Sequence, residues 1–257
     1  MTRTDEAQQC SAACLGHSCG CEAHRGRAPR SGLSRRGFVR GTIGAAAAGF
    51  FGEAGIELAR PSAALAQTTL GPDAALDALI EGNRRFVAGR MTSFDEDLQV
   101  LKTKTAEKQE PFAAVLACAD SRVPVELIFD QSIGHLFVAR VAGNIATSEL
   151  IASLEYGVAI VGTKAIVVLG HANCGAVKAS IDAKAVPGQI SSLYRYIRPA
   201  VDEAGRDLAA AIRANAKIQA RLLRESSPVI AEQIERRQLK VAAAYYELAS
   251  GEVSLLD

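Results

Sequence analysis

The sequence is short of several things, and each shortage narrows what the chain can be. It has no tryptophan. Its 29 Lys and Arg stand against 28 Asp and Glu, a formal charge of +1, so no global basic field points to nucleic acid. It has no internal repeat and no low-complexity tract beyond its leader. No apolar run is long enough to span a bilayer comfortably: the Gly/Ala-rich stretch with Phe50 and Phe51 is short and interrupted by Glu53 and Glu57. Cysteine is scarce once the start of the chain is set aside. Four of the six, Cys10, Cys14, Cys19 and Cys21, lie near the N-terminus, leaving only Cys118 and Cys174. What remains is 257 residues, 49% hydrophobic, enough for one ordinary domain with a real core.

The first 66 residues read as a leader. They hold 8 of the basic and 5 of the acidic residues, so the remainder carries a net of −2. Ser34-Arg35-Arg36-Gly37-Phe38-Val39-Arg40 resembles a twin-arginine motif, the apolar run follows, and Ala64-Leu65-Ala66 offers a small-residue cleavage site before Gln67. This order predicts residues 1–66 as an export signal that engages export machinery and is removed. The location is then periplasmic or otherwise extracytoplasmic, with an uncleaved membrane tether as the alternative. Residues 67–257 form a single domain. The leader's C-x3-C-x4-C-x-C spacing, with His17 and His24, matches no zinc template and is read as an unstructured segment that tolerates cysteine. In an exported chain, Cys118 and Cys174 are either a disulfide or a pair of metal thiolates loaded before export.

Along the domain, Asp73–Ala88 carries Leu76, Leu79, Ile80 and Phe86 on one helical face, with Asp73 as candidate N-cap after Pro72. Phe112–Ala117 is a continuous apolar run, the pattern of a strand buried on both faces of a parallel sheet. Val123–Phe129 reads as a short helix begun by Pro124, and His135–Val141 as a second strand followed by an Ala142-Gly143-Asn144 turn. A helix over Thr147–Val161 opens on a capping box with Thr147 or Ser148 at the cap. Strand Ala165–Leu169 and helix Ala176–Ala183 follow. Residues 191–238 are helical throughout, punctuated by Pro199 and Gly205 and restarted at Ser226-Ser227-Pro228. Residues 240–248 and 252–256 read as terminal strands. The alternation predicts an α/β fold: a central, mostly parallel sheet flanked by helices, with right-handed crossovers.

Both core strands end in chemistry. After Ala117 come Cys118, Asp120, Ser121 and Arg122; after Leu169 come His171, Cys174 and Gly175. Two thiolates and an imidazole suit zinc and leave a fourth position open. Asp120 and Arg122, two apart, share a face if extended and can form a carboxylate–guanidinium pair. Asp120 is then either an acceptor for water on the metal or the fourth ligand itself.

Cys118-x-Asp120-Ser121-Arg122 with His171-x2-Cys174-Gly175 resembles the paired motif of the β-class carbonic anhydrases, in their bacterial form. The likeness extends through EGNRRFVAG (Glu81–Gly89), VAGNIAT (Val141–Thr147), SLEYGV (Ser153–Val158) and VLGHANCGAVKA (Val168–Ala179), and covers most of 70–257. The resemblance implies one Zn2+ per subunit on Cys118, His171 and Cys174, and a catalytic dyad of Asp120 and Arg122. It implies a substrate pocket with Gln109, Phe137, Tyr156 and Gly175, built partly by a neighbouring subunit of a homodimer or higher homo-oligomer. The implied reaction is reversible hydration of CO2 to bicarbonate and a proton through zinc-bound hydroxide, a lyase activity. Ala142 stands where plant-type pockets carry valine. With no tryptophan in the chain, the tryptophan-containing bicarbonate site of some bacterial relatives is not carried over. Two other readings are a non-catalytic zinc protein on the same fold, against which Asp120 and Arg122 are both present, and hydrolysis of a CO2-like molecule such as CS2.

Overall fold

Five apolar residues in a row leave a strand with no polar face, so it must be covered on both sides. The computed structural model, which describes residues 68–93, 103, 105–106 and 108–256, has that arrangement. Strand β1 (Ala113–Ala117) is buried at every position. Parallel neighbours flank it, β2 (Leu136–Arg140) on one side and β3 (Ala165–His171) on the other. Strand β4 (Lys240–Tyr246) continues parallel beside β3, and β5 (Val253–Leu256) pairs antiparallel with β4. The order is β2-β1-β3-β4-β5, the mostly parallel sheet that the alternation predicts. Strand β3 runs two residues past the predicted Leu169, because Gly170 and His171 pair with Tyr245 and Tyr246. That extension depends on partner residues 75 positions away, which local pattern cannot register.

Among the described residues the helical elements are α1 (Pro72–Val87), α2 (Val125–Ile128), α3 (Ser148–Tyr156), α4 (Gly175–Asp182), α5 (Tyr194–Ala204), α6 (Leu208–Ser226) and α7 (Pro228–Glu235). A π-helical turn, Gly157–Val161, extends α3, and a 3-10 turn, Ile190–Leu193, leads into α5. One predicted cap and one predicted capping box differ. Gly71, not Asp73, caps α1, with Pro72 in the first turn, where its missing N–H costs nothing. Asp73 instead meets Lys240 Nζ at 2.6 Å. Thr147 does cap α3, yet its hydroxyl donates to Glu149 Oε2 (2.9 Å) rather than holding a backbone N–H. Glu149 sits one position too early for the reciprocal box, whose third helical position is Leu150 here. The restart at Ser227 is as predicted, its hydroxyl accepting from Ile230 N at 3.1 Å.

Side-chain alternation splits the sheet's two faces. Ala113, Val115 and Ala117 pack with Leu76, Leu79, Ile128 and Phe129 from α1 and its surroundings. Ala114 and Leu116 face the other way, under Leu154, Ala216, Leu223 and Ile230. A third cluster gathers at the carboxyl ends of the strands, with Cys118, Cys174, Ile145, Val177, Ile197 and Ile212. Among the described residues, no helix is long and apolar enough to cross a membrane.

The segment Glu81–Gly89 is structural. A Cβ on Gly82 would lie 1.8 Å from Phe129 O, so only glycine lets α1 approach there. Buried Asn83 donates to Ile128 O (3.0 Å) and Gly251 O (2.9 Å) and accepts from Val253 N (2.9 Å), tying α1 to α2 and to the last strand. Arg85 Nε reaches the buried Asp130 carboxylate at 2.6 Å, where Thr92 and Ser93 also donate backbone N–H groups. Burial pushes the Asp130 carboxyl up, but Arg85 and these donors outweigh it and hold the group down at about 2. A carboxyl depressed below its usual value of about 3.9 contributes stability that is complete above that value and is lost as pH falls through the folded value. Asp130→Asn should therefore lower the Tm at pH 7 and weaken its fall between roughly pH 4 and pH 2. Thermal denaturation of both proteins across that window checks this; identical acid slopes would contradict it.

Candidate metal centre

Strand order sets the place. Going from β1 the chain adds β2 on one side and β3 on the other, so neighbouring connections leave β1 and β3 in opposite directions. The crevice outside the carboxyl ends of such a strand pair is where open α/β sheets hold ligands. Cys118 is the first residue past β1, His171 the last of β3, and Cys174 the cap residue of α4. The structure brings the three together: their Sγ, ring nitrogen and Sγ all lie within 4.8 Å of one another, and all three residues are buried. Both cysteines are free thiols, so the disulfide alternative does not hold.

The donors are prepared for a cation. His171 Nδ1 lies 3.0 Å from Ala172 O. A carbonyl only accepts, so Nδ1 carries the hydrogen and Nε2 of the neutral ring is left with a bare lone pair. Nε2 is buried and has no hydrogen-bond partner. Orphaned buried acceptors are rare, and this one sits where a metal would take it. Gly143 N–H points at Cys118 Sγ at 3.3 Å. The Cys118 thiol is pulled down to about 4, first by its hydrogen bond with the Cys174 thiol and then, against burial, by the backbone N–H groups of Gly143 and Asp120. Cys174 is pushed the other way, by the same hydrogen bond and by burial, while the N–H groups of Ala176 and Val177 at the start of α4 pull its thiol down. The two thiols are thus pulled in opposite directions by each other, and a Lewis acid between them would hold both as thiolates. The residues fit zinc.

Beside them lies the carboxylate–guanidinium pair. Arg122 donates to Asp120 three times: Nε to Oδ1 (2.9 Å), a terminal nitrogen to Oδ2 (2.8 Å) and its backbone N–H to Oδ1 (2.9 Å). These bonds, the side-chain one first, hold the Asp120 carboxyl well below the usual carboxylate range. Both oxygens are engaged by Arg122, and Oδ2 stands 3.9 Å from His171 Nε2. Asp120 is therefore next to the three donors and committed to Arg122 rather than grouped with them.

Comparison with known proteins decides what this arrangement belongs to. Residues 113–253 match the family described as "Carbonic anhydrase". "Carbonic anhydrase 2" of Mycobacterium tuberculosis is 35% identical over 194 residues, which span 72% of this chain and 93% of that one. The chain belongs to the carbonic anhydrase family. The Coccomyxa β-carbonic anhydrase solved with acetazolamide is 28% identical, covers 70% of this chain and 86% of its own, and superposes with a TM-score of 0.55. One of the tetrameric β-carbonic anhydrases of Sordaria macrospora, 24% identical over 62% of this chain and 86% of its own, shares the fold with a TM-score of 0.56.

For a carbonic anhydrase, the remaining residues expected at the pocket sit in an instructive place. Phe137 pairs with Ala114, four residues before Cys118, so it lies roughly 13 Å down the sheet from its own metal donors. Its ring packs on Gly157 and lies 6.3 Å from that of Tyr156, which is half exposed. Gln109 is exposed and precedes β1, at the opposite end of the strand from Cys118. None of the three is brought to the metal donors of its own chain. Gly175 is adjacent to Cys174, and a Cβ there would meet nothing within 4 Å, so open space adjoins the donors.

Several residues that matter at this centre were not expected there from the sequence, though Gly143 was read as part of a turn. Gly143 has φ +79, and a Cβ there would press on Ile197 at 2.8 Å, so glycine alone puts its N–H on Cys118. Asn215 Nδ2 holds Gly143 O at 2.9 Å, and Gln219 accepts from Ala146 N at 2.9 Å, so two buried amides one turn apart on α6 fix the loop. Their only signal in the sequence is polarity on an otherwise apolar helical face. Arg140, the end of β2, donates to Cys118 O (2.9 Å) and Asp120 O (2.6 Å). Cys174→Ala should bind less than a tenth of a zinc per chain where the parent holds one, since a missing ligand also strands the other donors. Metal analysis alongside non-reducing mass measurement checks this; full zinc in the variant, or a Cys118–Cys174 disulfide in the parent, would contradict the assignment.

Proposed function

We propose that this chain catalyses the reversible hydration of CO2 to bicarbonate and a proton, with one zinc ion per subunit on Cys118, His171 and Cys174. The observation that carries the reading is the partnerless His171 Nε2 between two free buried thiols, with an ionised Asp120 3.9 Å away. Zinc, when bound, acidifies a coordinated water enough to supply a nucleophile at neutral pH, as in carbonic anhydrases generally.

The chain's own residues do the rest. Arg122 keeps Asp120 ionised and turns its carboxylate toward the open side of the donors, where it accepts a hydrogen bond and orients the attacking oxygen. Burial of Cys118, His171 and Cys174 keeps bulk water from the donors. The space beside Gly175 admits a small apolar substrate, and Gln109 donates to the oxygen that gains charge. Gln109, Phe137 and Tyr156 do this for a neighbouring subunit. Their distance from their own donors, the half-exposed Phe137–Tyr156 pair and the incompletely buried edge strand β2 support a dimer in which each subunit completes its partner's pocket.

Residues 1–66, outside the described residues, are read as a twin-arginine export signal. The protein then acts outside the cytoplasm with its metal loaded before export. The mature N-terminus from a secreted fraction, read by mass spectrometry, should fall at Gln67; an intact leader on all exported protein would contradict removal. Stopped-flow CO2 hydration tests the activity. Asp120→Ala should keep its zinc and lose 10-fold to 1000-fold in kcat, the range for a misplaced or missing catalytic contact. Full turnover in that variant would remove the role of Asp120, and a parent protein without hydration activity would remove the reading itself.

A further inference from the structure

Strand β1 stops at Ala117, but the chain beyond it is still held to the β2 side, and by two different means. Val141 continues the ladder as backbone, donating to Ala117 O (3.2 Å) and accepting from Ala119 N (3.3 Å). The next carbonyls, of Cys118 and Asp120, have no strand to pair with. The Arg140 side chain takes both, Nε on Cys118 O at 2.9 Å and a terminal nitrogen on Asp120 O at 2.6 Å. The two residues gripped are the metal ligand and the carboxylate of the pair; Ala119, between them, carries no chemistry. Val123 N–H also reaches Asp120 O (3.1 Å), closing the turn that returns Arg122 to its carboxylate.

We propose that Arg140 is a positioning residue for the reaction: its guanidinium fork substitutes for the missing strand and fixes the Cys118–Asp120 backbone so that the Asp120 carboxylate stays on Arg122. The proposal rests on the hydration reading above. A planar fork with several fixed donors can hold two carbonyls at once, whereas an ammonium is a point donor, so lysine is not an equivalent. The cost of losing the grip falls on geometry. Cys118 keeps its side-chain neighbours His171 and Cys174 and the Gly143 N–H, so metal retention should survive, while the direction of Asp120 loosens.

The test uses the full holoenzyme with Arg140→Ala and Arg140→Lys. Expected for Arg140→Ala are zinc near one per chain, kcat down about 10-fold to 100-fold, the range for partners that orient a metal ligand, and a KM that moves far less. Arg140→Lys should fall between parent and alanine variant, and it carries the test alone if the alanine variant does not fold. The pH–rate profile of either variant should have a displaced midpoint, because a disoriented Asp120 alters the environment of the titrating group; a purely structural lesion would lower the rate equally at all pH values. Crystal structures supply a readout independent of turnover: the double hydrogen bond from Arg122 to Asp120 should be broken or shared between orientations in the alanine variant. An unchanged pair in that structure, a kcat within twofold of the parent, or activity lost only in proportion to zinc overturns the proposal. A parent protein inactive toward CO2 overturns the hydration reading instead, and the crystallographic comparison still decides whether Arg140 sets the orientation of Asp120.

Discussion

Two sulfurs and an imidazole nitrogen packed together out of water are an unfavourable grouping unless something offsets their desolvation. In this chain the offset is assembled from backbone. Gly143 N–H serves Cys118, and the first N–H groups of α4 serve Cys174. The Ala172 carbonyl fixes His171 so that its free lone pair faces inward. Each of these groups is where it is because of the sheet: β1 and β3 are parallel neighbours, their carboxyl ends lie level, and the two connections that follow leave in opposite directions. Remove the parallel pairing and the donors, 53 residues apart in sequence, have no reason to meet.

Much of the fold supports that meeting from a distance. Small residues on β1 let helices close over both faces, and the Gly82 approach to Phe129 brings α1 in tightly beneath. On the other side Asn215 and Gln219 turn part of α6 into a scaffold for the loop that carries Gly143. These two buried amides are tolerated there because each is hydrogen-bonded, and a satisfied pair specifies one arrangement where an apolar contact would allow several. Arg140 extends the same logic to the site itself, with a side chain standing in for strand hydrogen bonds.

What could be read from the sequence divides along a physical line. The strands Phe112–Ala117 and Ala165–Leu169 were legible because burial on both faces leaves an unbroken apolar run, and Cys118, His171 and Cys174 because reactive residues at two strand ends are unusual. The Asp120–Arg122 contact was legible because it is local. The cap of α1 and the capping box of α3 were misread, since cap choice turns on which neighbouring residue first adopts helical geometry and the box on the position of one glutamate. Arg140, Asn215 and Gln219 were missed because their partners are backbone atoms 20 or more residues away, and Gly143 was read only as a turn residue because its N–H meets a sulfur 25 residues away. Phe137, Tyr156 and Gln109 were named through resemblance alone, and the structure leaves them far from their own chain's donors.

The central claim is that the two strand ends hold a single zinc through two sulfurs and one nitrogen. Zinc X-ray absorption on the purified mature protein tests it most directly. The account predicts one zinc per chain with two sulfur neighbours at about 2.3 Å, one imidazole nitrogen at about 2.0–2.1 Å and one further light atom. A spectrum with no sulfur neighbours, or with four and no nitrogen, would contradict it.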